Sequence, residues 1–248
     1  MELLKAEHIR KQYDGRTIID DISIHLSERE LISLLGVSGS GKTTLFHVLS
    51  GLAAPEEGKV YFAGEDVTGK PGKISYMMQK DLLLEQKKVI DNVSLPLLLK
   101  GMPKKEARKT AEPYFPQFGL KGTENQYPAQ LSGGMRQRAA LLRTYLSSAG
   151  AALLDEPFSA LDSITKNQMH DWYLDVMERI NLSTIFITHD IDEAILISDR
   201  IYIMTGKPGR IHNELKIEPD RKERRDFALT DDFLKYKRRI LEIMRGGT

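Results

Sequence analysis

The sequence predicts an α/β protein: a parallel sheet covered by helices on both faces, with a helical lobe inserted into it. Short apolar runs typical of buried strands alternate with helical segments in the second half of the chain. An apolar run at 31–35 also leads directly into a helical pattern. From about 90 to 118 the apolar spacing is helical, and prolines divide it into short helices.

The elements before the lobe follow from the same patterns. The residues up to about 35 are expected to form short strands, since Ile22, Ile24 and Leu26 alternate with polar neighbours. A helix is expected from Gly41 to about Leu52, with Leu52 on its apolar face. Strands are then expected at 59–62 and 74–78.

The elements after the lobe restore the alternation of strand and helix. They are expected to be a strand at 151–154, a long helix at 163–180, a strand at 184–188, a short helix at 192–197 and a strand at 200–204. Beyond about 216 the chain is rich in charge, and apolar residues at helical spacing indicate a terminal helix that packs one face on the core. These apolar residues are Phe233, Tyr236, Ile240 and Ile243.

Length and composition restrict the function classes. A chain of 248 residues suits one large domain, or a core with an inserted lobe. Because 36 basic residues balance 35 acidic ones, bulk attraction to nucleic acid is not supported. There is no cysteine, which excludes disulfides and cysteine-ligated metals. No signal peptide is visible, and no apolar run reaches the roughly 20 residues that span a bilayer.

A glycine-rich motif at 36–43 carries the first chemical signal. It reads Gly-Val-Ser-Gly-Ser-Gly-Lys-Thr, fits G-x-x-x-x-G-K-[ST] at every fixed position, and lies between a strand and a helix. Glycines let backbone N–H groups close around phosphate oxygens, and the helix N-terminus adds partial positive charge. Lys42 is expected to reach the β- and γ-phosphates, and the Thr43 hydroxyl to ligate Mg²⁺.

An acidic pair at 155–156 supplies the complementary half of this chemistry. The apolar strand at 151–154 leads into Asp155 and Glu156, at what would be the carboxyl edge of the sheet. Taken alone, the pair could equally be an acidic turn after a strand. Beside the phosphate loop, Asp155 is expected to lie near Mg²⁺, and Glu156 is the candidate base that polarises the attacking water.

The stretch 131–138 (Leu-Ser-Gly-Gly-Met-Arg-Gln-Arg) resembles the signature of the ATP-binding cassette (ABC) ATPases. Together with the phosphate loop and the acidic pair, it extends the resemblance to this family over nearly the whole chain. A kinase or GTPase with a phosphate loop needs no such signature. The resemblance implies a P-loop NTPase (RecA-like) core with an N-terminal antiparallel β subdomain and an inserted α-helical subdomain. It divides the chain into a core at 1–87 and 144–215, a helical subdomain at 88–143 and a charged tail at 216–248.

The resemblance also assigns roles to individual residues. It implies ATP and Mg²⁺ as cofactors, with Glu156, His189 and Gln79 as catalytic residues. The metal would be held by Thr43, Gln79 and Asp155. The ATP-binding residues would be Tyr13, Gly36, Val37, Ser38, Gly39, Ser40, Gly41, Lys42, Thr43 and Thr44, with Tyr13 stacking on adenine. The other histidines (His8, His25, His47, His170 and His212) are expected to be structural.

Two copies of the chain are expected to complete each site. The phosphates of the chain's own ATP would already be bound by its phosphate loop, whereas the signature helix offers a second N-terminus that can bind an anion. The resemblance implies that this second site contacts ATP held by a partner subunit, through Ser132, Gly133, Gly134 and Gln137. Ser159 and Asp162 would lie in a loop at the dimer contact. The resemblance therefore implies a homodimer.

The region 188–211 resembles ATPases of bacterial importers for nitrate, sulfonate, taurine and thiamine precursors. The expected partners are a membrane permease and a solute-binding protein, with no nucleic acid, and the expected location is the cytoplasmic face of the cell membrane. One departure concerns 85–88 (Glu-Gln-Lys-Lys), where that group commonly has Pro-Trp. The alternatives are the ATPase of an exporter and a soluble cassette ATPase outside transport.

Overall fold

A computed structural model describes residues 1–159, 163–221, 224 and 226–246, and these form two β-sheets with helices packed around them. In chain order, the strands are β1 (Glu2–Tyr13), β2 (Arg16–Ser27), β3 (Leu31–Gly36), β4 (Glu57–Phe62), β5 (Glu65–Asp66), β6 (Ser75–Met77), β7 (Ala151–Asp155), β8 (Ser183–Thr188), β9 (Arg200–Thr205) and β10 (Arg210–Lys216). The α-helices are α1 (Lys42–Leu49), α2 (Val89–Val93), α3 (Leu95–Leu99), α4 (Lys104–Ala111), α5 (Gly133–Ser147), α6 (Ser163–Ile180), α7 (Ile191–Ile197) and α8 (Asp231–Gly246).

The larger sheet has the order β10-β9-β3-β8-β7-β6. Strands β9, β3, β8, β7 and β6 run parallel, as the buried apolar runs predicted. Strand β10, which was not predicted from the sequence, pairs antiparallel with β9 at the edge. Its side chains are mostly half-exposed or exposed, so it lacks the apolar run that marks the central strands.

The smaller sheet is antiparallel, with the order β2-β1-β4-β5. The expectation of short strands near the N-terminus is wrong for β1 and β2, which are 12 residues each. Their pairing contains several register shifts, which interrupt the alternation of apolar residues that a regular long strand would display. The N-terminal antiparallel sheet that the resemblance implied is present.

Helix α1 is shorter than predicted. It ends at Leu49, and Gly51 follows with a φ of 76°. A Cβ on Gly51 would lie 2.5 Å from the carbonyl of Lys70, so only glycine permits this chain crossing. Leu52 therefore lies beyond the helix and is 60% exposed, which corrects its assignment to the apolar face.

Three hydrophobic clusters hold these layers together. One lies between the two sheets and includes Phe46 of α1. A second joins the larger sheet to the helical lobe, where Phe115 and Phe118 are fully buried. Because this cluster is continuous, the lobe shares its core with the sheet. The expected lobe boundary at residue 143 falls inside α5.

The third cluster attaches the C-terminal segment to α7 and β9. Phe233 and Ile240 of α8 are buried in it, and Tyr236 and Ile243 pack against it, which confirms a terminal helix with one apolar face on the core. The buried Arg224 guanidinium donates to the Ile195 and Ser198 carbonyls at the end of α7. Among the described residues, no helix has the length and apolar character needed to cross a bilayer.

Candidate functional site

The candidate site lies at the carboxyl edge of the larger sheet, where four parallel strands end side by side. The glycine-rich loop follows β3, Asp155 closes β7, His189 follows β8, and Gln79 lies two residues beyond β6. Ligand sites in open α/β sheets form at this edge, because loops from neighbouring strands meet there. The parallel order therefore brings together residues that are far apart in the sequence.

The loop at 36–43 depends on glycine at its narrowest points. A Cβ on Gly36 would lie 2.4 Å from the Met204 carbonyl oxygen of the neighbouring strand. Gly41 has a φ of 95°, and a Cβ there would lie 2.5 Å from the Ile19 side chain. The loop thus packs against both sheets, which fixes its position before any ligand binds.

Lys42 lies inside this loop and is 6% exposed. Its Nζ donates to the carbonyl oxygens of Gly36 at 2.8 Å and Val37 at 2.9 Å. Burial lowers the pKa of Lys42, while the charges of Glu156 and Asp155 act in the opposite direction. An anion beside the loop would therefore meet an ammonium group whose solvation has already been removed.

Thr43 and Asp155 meet directly, although 112 positions separate them. The Thr43 hydroxyl donates to Asp155 Oδ2 at 3.2 Å, and the Tyr76 hydroxyl donates to the same oxygen at 3.1 Å. Burial raises the pKa of Asp155, and the two hydroxyl donors oppose that rise. Hydroxyl and carboxylate oxygens are ligands that suit Mg²⁺, so this pair fits the expected metal. Tyr76 was not predicted as a site residue, because nothing in the sequence of a short strand marks a tyrosine that reaches the next strand.

Glu156 is held between two of the other candidates. Its Oε1 lies 3.1 Å from His189 Nδ1, and its Oε2 accepts from Gln79 Nε2 at 3.1 Å. The backbone of Glu156 has a φ of 46°, a conformation that non-glycine residues rarely adopt. Strain of this kind is typical of functional sites, where the surrounding contacts compensate for it. Here Gln79 approaches Glu156 and Ser159, and no hydrogen bond joins it to Asp155 within the described chain.

Two cavities open at this edge. One, of about 310 Å³, is lined by the loop residues Gly39, Lys42, Thr43 and Thr44 together with Glu156. The other, of about 840 Å³, is lined by residues including Gln79, Glu156, Ser159, His189 and Arg136. Glu156 lines both, so it lies between the phosphate loop and the larger cavity.

Tyr13 lies away from these cavities in the described structure. Its ring is 44% exposed at the β1–β2 turn and carries the Lys11 ammonium 5.0 Å above its centroid. It is not among the residues that line either cavity. Ile18 lines the smaller cavity instead. The role of Tyr13 in stacking on adenine stays a prediction.

The signature residues begin α5, as predicted. Ser132 caps the helix, and its Oγ accepts from the Met135 backbone N–H at 3.3 Å. Ser132 and Gly133 are exposed, and neither lines the two cavities described above. Gln137 differs from them, because its side chain is 7% exposed and turned toward the interior.

Arg136 and Arg143 of α5 connect the signature helix to the loop after Gln79. Arg136 makes two hydrogen bonds with Asp81, at 2.9 and 3.2 Å, and one with Glu85 at 2.7 Å. Arg143 donates to the backbone carbonyl of Leu82 at 2.8 Å. The sequence predicts a basic helix here, but its acidic partners were not predictable, since nothing local identifies an acid more than fifty positions away.

The remaining candidates have varied settings. Ser159 donates to the Glu156 carbonyl at 3.0 Å, next to Gln79, whereas Asp162 lies outside the described residues. His8 is an exposed histidine whose Nδ1 lies 2.8 Å from Asp21. His170, in contrast, is buried. No cluster of three metal-ligating side chains occurs in the described part of the chain.

Comparison with known proteins gives a consistent result. The family model described as ABC transporter matches residues 19–159. The formylaminopyrimidine import ATP-binding protein ThiZ of Halalkalibacterium halodurans is 44% identical over 220 residues, covering 88% of this chain and 86% of that protein. The nitrate import ATP-binding protein NrtD of Synechocystis is 35% identical, covering 92% and 88%. The taurine import ATP-binding protein TauB of Chromobacterium violaceum is 37% identical, covering 87% and 84%.

Solved structures agree with the sequence relatives. The ATP-binding cassette MJ0796, in a dimeric post-hydrolysis state bound to ADP and Pi, matches with a TM-score of 0.74 and 28% identity. That match covers 88% of this chain and 100% of the solved one. The cassette cbiO1 of Clostridium perfringens has a TM-score of 0.80 at 22% identity, which supports the fold alone.

Proposed function

This chain belongs to the ABC transporter family of ATPases, and from that premise we propose that it is the ATP-hydrolysing subunit of an importer for a small polar solute. It would work as a homodimer beneath a separate membrane permease, at the cytoplasmic face of the membrane. The three relatives described above are named as import ATP-binding proteins. Their names therefore do not favour the two alternatives, the ATPase of an exporter and a soluble cassette ATPase outside transport.

The chemistry we assign is hydrolysis of the γ-phosphate. Glu156 would orient and polarise the attacking water, with His189 fixing the carboxylate from one side and Gln79 from the other. The distances of 3.1 Å on both sides of Glu156 support this assignment, because the carboxylate is positioned at the junction of the two cavities. Lys42 would exchange its two backbone acceptors for phosphate oxygens when ATP enters.

We assign the magnesium ion to the Thr43 hydroxyl and the Asp155 carboxylate, with Gln79 as a further ligand. When bound, the ion would neutralise charge on the phosphate oxygens. Thr43 and Asp155 are already in contact in the described structure. Gln79 would have to turn from Glu156 toward the metal, a movement that the exposure of its side chain permits.

The observation that carries the dimer proposal is the position of the signature. Ser132 and Gly133 form an exposed helix N-terminus, with donors suited to an anion, yet they line neither cavity at the phosphate loop. A second copy placed head to tail would bring this helix end to the other copy's phosphate. Both sites would be completed together, by two-fold symmetry.

The proposed permease contact covers the loop after Gln79 and the adjoining helical lobe. Leu82 and Leu84 are 52% and 38% exposed in the loop that Arg136 and Arg143 hold, and Leu99 of α3 is 80% exposed. Contiguous exposed apolar side chains are typical of a protein contact. The proposed cargo class is supported by the relatives named as formylaminopyrimidine, nitrate and taurine import ATP-binding proteins.

Two variants test the catalytic proposal. Glu156→Gln should bind ATP, hydrolyse it very slowly and accumulate as a dimer in light-scattering measurements with Mg²⁺ and ATP. Ser132→Arg should bind ATP as a monomer and fail to dimerise. Ala149→Arg is the matched control, since it adds the same charge at an exposed position beyond the other end of α5. Wild-type turnover in Glu156→Gln would contradict the assigned base, and dimers of Ser132→Arg would contradict the proposed interface.

The transport proposal needs a separate measurement. Mass spectrometry of proteins that co-purify with the chain from gently solubilised membranes of its host should recover a small multi-span permease, with a solute-binding protein. Loss of that permease in a Leu84→Arg variant, with ATP hydrolysis unchanged, would support this contact surface. Recovery of ribosomal or DNA-associated proteins without a permease would overturn the proposed transport function and leave the proposed ATPase activity intact.

A further inference from the structure

His170 occupies a buried position between the segment that follows Glu156 and the segment that follows His189. It lies on α6, and its side chain is 8% exposed. Its Nε2 lies near Glu193 of α7, the helix that follows His189, and its ring contacts Phe158 in the segment that follows Glu156. A titratable side chain in such a place is unusual, because burial without a saturated set of partners is unfavourable.

On the α7 side, His170 contacts a carboxylate that anchors the loop of His189. His170 Nε2 lies 3.3 Å from Glu193 Oε1, and the Glu193 side chain is 5% exposed. The Thr188 hydroxyl donates to Glu193 Oε2 in a short contact. Thr188 Oγ1 also accepts from the Asp190 backbone N–H at 3.0 Å. Both neighbours of His189 are therefore tied to the carboxylate that His170 faces.

On the other side, His170 contacts the segment that carries Glu156. The imidazole and the Phe158 ring are 5.0 Å apart at an interplanar angle of 74°, an edge-to-face arrangement. Phe158 is 3% exposed, so it cannot move without disturbing the core. The next residue, Ser159, donates to the Glu156 carbonyl at 3.0 Å. A displacement of Phe158 would therefore be transmitted to Glu156.

We propose that His170 is a positioning residue for ATP hydrolysis: through Glu193 and Phe158 it fixes the distance between His189 and Glu156. The imidazole is not among the residues that line the two cavities of the site, so its effect would be exerted through the two segments that it contacts. This inference rests on the hydrolytic role proposed above for Glu156 and His189, whose side chains lie 3.1 Å apart. A shift of that pair by a fraction of an ångström would displace the attacking water.

The geometry distinguishes this role from simple filling of the core. Within the described residues, neither ring nitrogen of His170 makes a hydrogen bond of good geometry, although Nε2 lies within ion-pair distance of Glu193. The imidazole is thus placed by the carboxylate and by the Phe158 ring, from two different loops. An apolar residue of similar volume would retain the contact with Phe158 and lose the one with Glu193.

The test is steady-state ATP hydrolysis by the full chain with Mg²⁺, for His170→Leu, His170→Gln, Glu193→Gln and the double variant His170→Leu with Glu193→Gln. His170→Leu should lower kcat by about tenfold while KM for ATP changes by less than about twofold. His170→Gln should retain most of the activity, because its amide can still face Glu193. The double variant should be no slower than the more affected single variant, since both changes break one linkage.

His8→Gln changes an exposed histidine beside Asp21 and should leave kcat and KM unchanged. Wild-type kcat in His170→Leu, equal loss in His170→Gln, or multiplied losses in the double variant would overturn the proposal. If His170→Leu does not fold, the Glu193→Gln comparison decides, because an unchanged kcat there removes the linkage. Absence of ATPase activity in the wild type would instead refute the proposed function.

Discussion

The hydroxyl of Tyr76 gives the sharpest quantitative prediction, because its replacement by phenylalanine removes one atom at a buried carboxylate. Tyr76 OH donates to Asp155 Oδ2 at 3.1 Å, and Asp155 is 7% exposed. The ring packs edge-to-face on Phe46 at 5.8 Å between centroids, a contact that phenylalanine would preserve. Tyr76→Phe therefore isolates a single hydrogen bond to a charged group.

The expected magnitude follows from the remaining partners. A hydrogen bond to a charged group contributes about 1.5–3 kcal/mol. The Thr43 hydroxyl still donates to the same oxygen at 3.2 Å, so part of the stabilisation is retained. We expect the free energy of unfolding to fall by about 1–2 kcal/mol near neutral pH.

The pH dependence of this loss has a definite sign. Burial raises the pKa of Asp155, and the Tyr76 hydroxyl opposes that rise, so the variant should raise it further. A carboxyl with a raised folded pKa lowers stability at pH values above that pKa, and the loss disappears once both states are protonated. The difference between wild type and variant should thus be largest near neutral pH and shrink as the pH falls through the folded pKa of Asp155.

The assay is urea unfolding without nucleotide or Mg²⁺, followed by circular dichroism and by the fluorescence of Trp172, the one tryptophan of the chain. Tyr61→Phe, a half-buried tyrosine on β4, is the matched control. A difference no larger than that of the control would refute the reasoning. A loss that stays constant from neutral pH to about pH 4 would refute the role of the Asp155 charge.

Three further outcomes are expected. Lys42→Ala should weaken ATP binding by at least about tenfold in calorimetry, because its desolvated ammonium is placed for phosphate; unchanged affinity would place the phosphate elsewhere. Gln79→Ala should reduce transport-coupled hydrolysis more than ATP affinity, and equal loss of both would contradict a coupling role. Arg136→Gln should lower the free energy of local opening around Asp81 by about 1–2 kcal/mol, measured as faster hydrogen exchange there. The physical reason is the lost hydrogen bond from Arg136, which lowers the pKa of Asp81 against the effect of burial. Unchanged exchange there would mean that Arg143 alone holds the loop.

The features that the sequence determined are local ones. A glycine loop between a strand and a helix, an acidic pair at a strand end and a capped signature helix are each readable from a few adjacent residues. Apolar runs likewise indicated the buried parallel strands. Where the local pattern was weak, prediction was wrong, as for the extent of β1 and β2, the edge strand β10 and the end of α1.

The tertiary structure decided which distant side chains share an environment. Tyr76 and Asp155 meet because β6 and β7 are neighbours, and Arg136 meets Asp81 because α5 packs against the loop after β6. His170 looks unremarkable in the sequence, yet packing places it between the loops of Glu156 and His189. Sequence patterns encode the period and termini of single elements, whereas the contacts between elements depend on how their buried faces pack together.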